Sequence, residues 1–167
     1  MFLTKSKVSK ANLLTKVKNA GLIAVMCLWG VQAMAADGLT TLQSRHGPKD
    51  TMNRLEAEVK AKGMTVFARI DHAAGAAEVG LPLRSTELLI FGNAEGGTPL
   101  MQSNQTIGID LPLKALVWQD ASGTTWLSYN DSAFLAHRHG LDGTDNTTVN
   151  AIAAALKAIA SKATTLS

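Results

Sequence analysis

The step Asp71-His72 is the most chemically loaded in the chain, because a carboxylate beside an imidazole can tune a general base or orient a metal ligand. Sequence neighbours rarely face one another, so the competing expectation is that Asp71 caps a helix and His72 packs in its first turn. His137-Arg138-His139 resembles a metal doublet, yet residues two apart on a helix point roughly 200° apart and cannot share one ion. Three imidazoles, His46, His72 and His139, could still converge from separate elements on a zinc, copper or haem-iron centre. Asp110-Leu-Pro-Leu-Lys114 sets a carboxylate and an amine on either side of a rigid turn. The pair either forms a turn-fixing salt bridge or, with Tyr129, rims a cleft for a polar ligand. The loop Asn93 to Thr98 carries no lysine or arginine and reads as a turn and helix cap rather than an anion site. Trp118, Trp126 and Tyr129 suit a core, a dimer interface or a binding face. No nucleophile elbow, zincin helix or haem-attachment pair is present.

These residues need elements to hold them. Leu39 to His46 reads as a strand broken by Gly47-Pro48, and Asp50 as the cap of a helix Thr51 to Lys62 with Met52, Leu55 and Val59 on one face. Gly63 stops it. Met64 to Asp71 alternates, placing Met64, Val66, Ala68 and Ile70 together on one side of a strand. Asp71 then caps a helix from His72 to Val79, closed by Gly80. The apolar run Thr86 to Gly92 predicts a central strand, Thr98-Pro99 a short helix through Ser103, and Thr106 to Ile109 an extended segment. Leu113 to Gln119 and Thr124 to Tyr129 form a hairpin around Asp120 to Gly123. Asp131 starts a helix that ends at His139-Gly140, and Thr148 to Lys162 is helical, with Val149, Ile152, Leu156, Ile159 and Ala163 as the stripe that covers the sheet. The pattern predicts an α+β fold: one antiparallel-rich sheet covered by helices.

The N-terminus predicts export. Lys5, Lys7, Lys10, Lys16 and Lys18 precede the apolar run Gly21 to Val31, whose 11 residues are too short to span a membrane, and Ala33-Met34-Ala35 offers a cleavage site after Ala35. The competing reading is a leader retained as an anchor. Met26 before Cys27 argues against lipidation, which needs a small residue there. Cleavage leaves one domain of 132 residues, 36–167, periplasmic or secreted and free of cysteine. It also removes five of the 16 basic residues, leaving 11 against 13 acidic, so the apparent pI of 9.1 belongs to the leader and a nucleic-acid partner is not expected.

Six separated strings, IDHAAGA (70–76), LLIFGN (88–93), GTPLM (97–101), IDLPLKALVW (109–118), LSYND (127–131) and RHGL (138–141), stand in an order that resembles the domain of unknown function 302 family. One departure is Ala94, where that family usually has a proline. The resemblance implies a TBP-like β-α-β(4)-α core and a homodimer, and brings no catalytic residue with it. The leading expectation is therefore a non-enzymatic periplasmic homodimer that binds a small ligand or partner in a cleft of Asp71, His72, Asp110, Lys114 and Tyr129. A metal- or haem-binding protein using His72 with His46 or His139 is the alternative. A hydrolase is the third.

Overall fold

The computed structural model describes residues 38–143 and 146–166; the leader and the expected cleavage site lie outside them. In chain order the elements are β1 (Leu39–Gln43), α1 (Pro48–Ala61), β2 (Thr65–Asp71), α2 (His72–Glu78), β3 (Thr86–Gly92), α3 (Ala94–Ser103), a 3-10 helix (Gln105–Ile109), β4 (Leu113–Gln119), β5 (Thr125–Asn130), α4 (Ser132–Arg138) and α5 (Asn146–Thr164). The strands form one antiparallel sheet in the order β1-β5-β4-β3-β2. With α2, α3 and the 3-10 helix set into its connections, this is the β-α-β(4)-α arrangement of an α+β fold.

Strand alternation decides which face is covered. Leu89 and Phe91 of β3, Leu113, Ala115 and Val117 of β4, and Leu127 and Tyr129 of β5 turn to one side. There they meet Met52, Leu55 and Val59 of α1 and Leu156, Ile159, Ala160 and Ala163 of α5 in a single buried cluster. Each fully buried Leu, Phe or Met contributes about 1.5–3 kcal/mol, so this layer carries the fold. The stripe expected on the last helix is the one that packs, with Val149 serving a second, smaller core with Leu100, Ile107 and Leu141. On the other side of the sheet lie Ile70, Leu88, Leu116, Trp118 and Trp126, half-buried or exposed.

Four local expectations need correction. α1 begins at Pro48 rather than Thr51: the proline occupies the first helical position, where its missing N–H is no loss, and the cap is Gly47 rather than Asp50. In β2 a bulge at Phe67 shifts the register between Val66 and Ala68, so Val66 pairs with Phe91 and leaves the side shared by Ala68 and Ile70. The helix around Pro99 starts at Ala94, because the Asn93 side chain accepts the Gly96 N–H at 2.9 Å and nucleates a first turn that Thr98-Pro99 merely continues. Residue 94 is thus the first helical position, which suits a proline as well as the alanine found here. Finally, Gln105–Ile109 is a 3-10 helix, not extended: Asn104 caps it by accepting the Thr106 N–H at 3.0 Å.

Candidate functional site

Asp71 and His72 sit at one end of the sheet. Asp71 Oδ1 accepts the Ala74 N–H at 2.9 Å, the capping role weighed against chemistry, and His72 is exposed. Asp110 and Lys114 lie at the opposite end, beside Gly92, about 20 Å away along strands that rise ~3.3 Å per residue. Lys114 Nζ donates to the carbonyls of Asp110 and Pro112 at 3.0 and 2.9 Å, so the expected carboxylate–amine pair is not made. Tyr129 points into the core, where burial pushes its phenol above its ordinary pKa; a hydrogen bond with Thr40 opposes this and Asp131 adds to it. The five residues therefore do not line one cleft, because β2 separates the two ends and strand alternation turns Tyr129 away from Lys114.

The three imidazoles are also apart. His46 Nε2 bonds the Thr165 carbonyl at 3.0 Å beside β1, while His72 follows β2 at the other edge, ~19 Å away across four strand spacings. His139 lies at the Asp110 end. Among the described residues no three His, Cys, Asp or Glu side chains gather around a point where an ion could sit. His137 pairs with Asp142 at 2.8 Å on the surface.

What the Gly92 end does hold is an apolar pocket of about 260 Å³. Met64, the bulged Phe67, Met101, Leu111 and Ile152 of α5 line it. Four glycines keep it open. A Cβ on Gly97 would lie 3.7 Å from both Leu111 Cδ1 and Met101 Cε, one on Gly108 3.5 Å from Met101 Sδ, and one on Gly92 3.7 Å from Pro112 Cβ. A Cβ on Gly96 would stand 3.0 Å from Asn93 Oδ1, against the cap itself. Asn93 is the one polar side chain in the lining.

Beside this pocket runs a chain of hydrogen bonds. Asp110 Oδ2 meets His139 Nε2 at 2.7 Å, and His139 Nδ1 meets Thr106 Oγ1 at 2.9 Å. Asn104 clamps both partners: its Nδ2 donates to the His139 carbonyl at 2.7 Å, and its Oδ1 accepts the Thr106 hydroxyl at 2.8 Å. Arg138 reaches Asp110 Oδ1 at 3.3 Å. The His139 and Asp110 side chains are only 8 % and 14 % exposed, whereas Thr106 is at the surface. Sequence reasoning marked Asp110 and His139 for other partners and missed Asn104 and Thr106. The spacing Asn-x-Thr, which sets a side-chain cap two residues before a hydroxyl, was the available signal.

The family profile described as Domain of unknown function DUF302 matches residues 40–159. A protein of Brucella suis named fluoride-specific ion channel FluC 1 is 51% identical over 115 residues, covering 69% of this chain and 45% of its own length. Fluoride-specific ion channel FluC 1 of Brucella abortus and FluC 2 of Brucella melitensis match at the same identity over 43% of theirs. The chain thus spans less than half the length of these curated relatives. The crystal structure of an uncharacterized conserved DUF302 protein from Bacillus stearothermophilus superposes with a TM-score of 0.69, covering 77% of this chain and 99% of the other at 23% identity, a likeness of fold.

Proposed function

This chain belongs to the DUF302 family, and from that premise we propose that it is an exported, homodimeric binding protein that holds a compact apolar molecule in the pocket at the Gly92 end. The pocket carries the reading. Its 260 Å³ falls between a cavity of ~150 Å³ that holds benzene and the ~300–1,000 Å³ of drug-sized sites, which suits one or two rings or a short acyl chain. Indole, naphthalene and octanoate are the probes. The expected result is that at least one raises the melting temperature and is retained in native mass spectrometry; no response from any of them overturns the assignment.

The sheet's second face supports the dimer. Cross-strand register aligns Ile70, Leu88 and Leu116 in one row, and Trp118 stacks on Trp126 with ring centroids 6.1 Å apart. Five strands ~4.8 Å apart and five to seven residues long present roughly 500 Å², well short of the ~800 Å² per partner of a standard interface. A second copy would therefore also cover exposed apolar side chains outside the strands, with Val79, Leu81 and Leu83 the candidates. Leu88→Lys with Leu116→Lys is expected to give monomers in sedimentation; a monomeric wild type at micromolar concentration removes this part of the proposal.

One observation favours a second reading, in which the domain is the extramembrane companion of a fluoride channel. The proteins named as such contain a 51% identical segment in under half their length, and no helix among the described residues of this chain is long and apolar enough to cross a membrane. The membrane-crossing part of those relatives would then lie in their remaining length. Loss of fluoride tolerance on deleting this gene, restored by the full chain, supports this reading; unchanged tolerance counts against it.

A further inference from the structure

We infer that Thr106, His139 and Asp110 form a hydroxyl–imidazole–carboxylate relay that accepts an acyl group from a neutral ester and passes it to water. This goes beyond the binding role and does not depend on the apolar pocket. Three observations carry it. The atoms stand in the order that activating a hydroxyl needs: Thr106 Oγ1, whose proton rests on Asn104 Oδ1, is 2.9 Å from one imidazole nitrogen, and a carboxylate is 2.7 Å from the other. The imidazole and the carboxylate are both screened while the hydroxyl is at the surface, open to a substrate. Thr106 also borders an open depression of about 760 Å³ walled by Thr98, Gln102, Ser103 and Gln105, with no charged side chain in its lining. That lining selects an uncharged, polar substrate.

The proton inventory is consistent at each stage. With Nε2–H donated to Asp110, Nδ1 accepts the Thr106 proton once the hydroxyl swings onto it from Asn104 Oδ1. Thr106 Oγ1 forms a bond to the ester carbonyl carbon while its proton moves to His139 Nδ1. The bond to the leaving oxygen breaks, and that oxygen takes the proton from Nδ1. Water then attacks the threonyl ester, giving its proton to Nδ1, and the acid leaves as Thr106 Oγ1 recovers it. In the intermediate imidazolium Nδ1–H donates to the leaving oxygen, and Asn104 Oδ1, which accepts the Thr106 hydroxyl at 2.8 Å, takes that hydroxyl back after deacylation. Asn104 is a positioning residue, joined to the His139 carbonyl.

The test uses the purified full chain with p-nitrophenyl acetate. Expected are turnover, an acetylated species in acid-quenched intact mass spectra, and fragmentation that maps the acetyl to Thr106. Thr106→Val should lower the rate by about 100-fold or more and remove the adduct, while Thr106→Ser keeps both. Circular dichroism of the two variants identifies loss through unfolding, and should Thr106→Val fail to fold, the mapped adduct in the wild type decides. An acetyl group found on lysine, or wild-type turnover no faster than that of a folded Thr106→Val, overturns the relay.

Discussion

Gly97→Ala separates a glycine kept for a ligand from one kept for the backbone. Gly97 lies inside α3 without a positive φ, so glycine has no conformational advantage there and alanine gains ~0.8–1 kcal/mol of helix propensity. The new methyl meets Leu111 and Met101 at 3.7 Å, an ordinary contact that contributes up to about 0.8 kcal/mol more. A net gain of about 1–1.5 kcal/mol corresponds to a melting temperature raised by roughly 3–7 °C for a domain of this size. The same methyl occupies ligand space, however. In the wild type a ligand at 100 times its Kd adds about 2.7 kcal/mol. Displacing one methylene-sized contact removes about 0.8 kcal/mol of that, a fourfold loss of affinity. Thermal unfolding with and without the best of the three probes reads both quantities. A variant that is more stable and yet answers the ligand as fully as the wild type refutes the pocket as the site, and a variant that is less stable refutes the packing of α3 against Leu111.

Asp120 gives the acid response. The Ser122 hydroxyl first and the Trp126 indole second, with the Thr124 and Ser122 N–H groups, hold its carboxyl down to about 2 from 3.8. A folded value below the unfolded one stabilises the hairpin above about pH 4, and that contribution is lost as the pH falls toward 2; Trp126 fluorescence follows it, and Asp120→Asn should remove the transition. Phe91→Ala should cost about 3–5 kcal/mol, since Phe91 is fully buried in the main core, and urea unfolding should show a lower midpoint at unchanged slope. Asp131→Ala frees the Ala133 and Phe134 N–H groups and should cost about 1 kcal/mol, with faster amide exchange confined to the first turn of α4.

The sequence was most legible where a single local rule decides. The run Thr86–Gly92 and the strand Leu113–Gln119 appear at their expected bounds, because continuous apolar residues flanked by turn chemistry admit few alternatives. The last helix and its stripe were equally plain, since a 3.6-residue period over 19 residues has no rival. The errors fall where a side chain competes for the backbone. Asn93 and Asn104 each start a helix by accepting an N–H two or three residues on, whereas the sequence pattern gives Asn93 to a turn and assigns Asn104 to no element. The bulge at Phe67 left no trace in the alternation, because Phe67 is apolar on whichever side it falls. The candidate site was hidden for a related reason. Its walls are glycine backbone and core-type side chains, which as letters say only that a segment is flexible or buried. Asp110 and His139 were visible as chemistry, but their contact joins residues 29 apart in sequence.

The connections of the sheet give an independent reason to look at the Gly92 end. Antiparallel neighbours can be joined by two to five residues, and β4 and β5 are, through Asp120–Thr124. β3 and β4 are neighbours of the same kind, yet the 20 residues Asn93–Pro112 stand between them. The topology does not need those residues. They are not loosely held either: Leu100 and Ile107 pack with Leu141 and Val149 in a core separate from the one that supports the sheet. A connection that long between adjacent strands, folded on itself and anchored to α4 and α5, requires a reason outside the stability of the sheet. Both candidate sites are built on it, with Met101 lining the apolar pocket and the polar depression alike. Ligand or acyl chemistry placed there can vary by substitution in this one segment while the layer of Phe91, Val117 and Ile159 stays as it is.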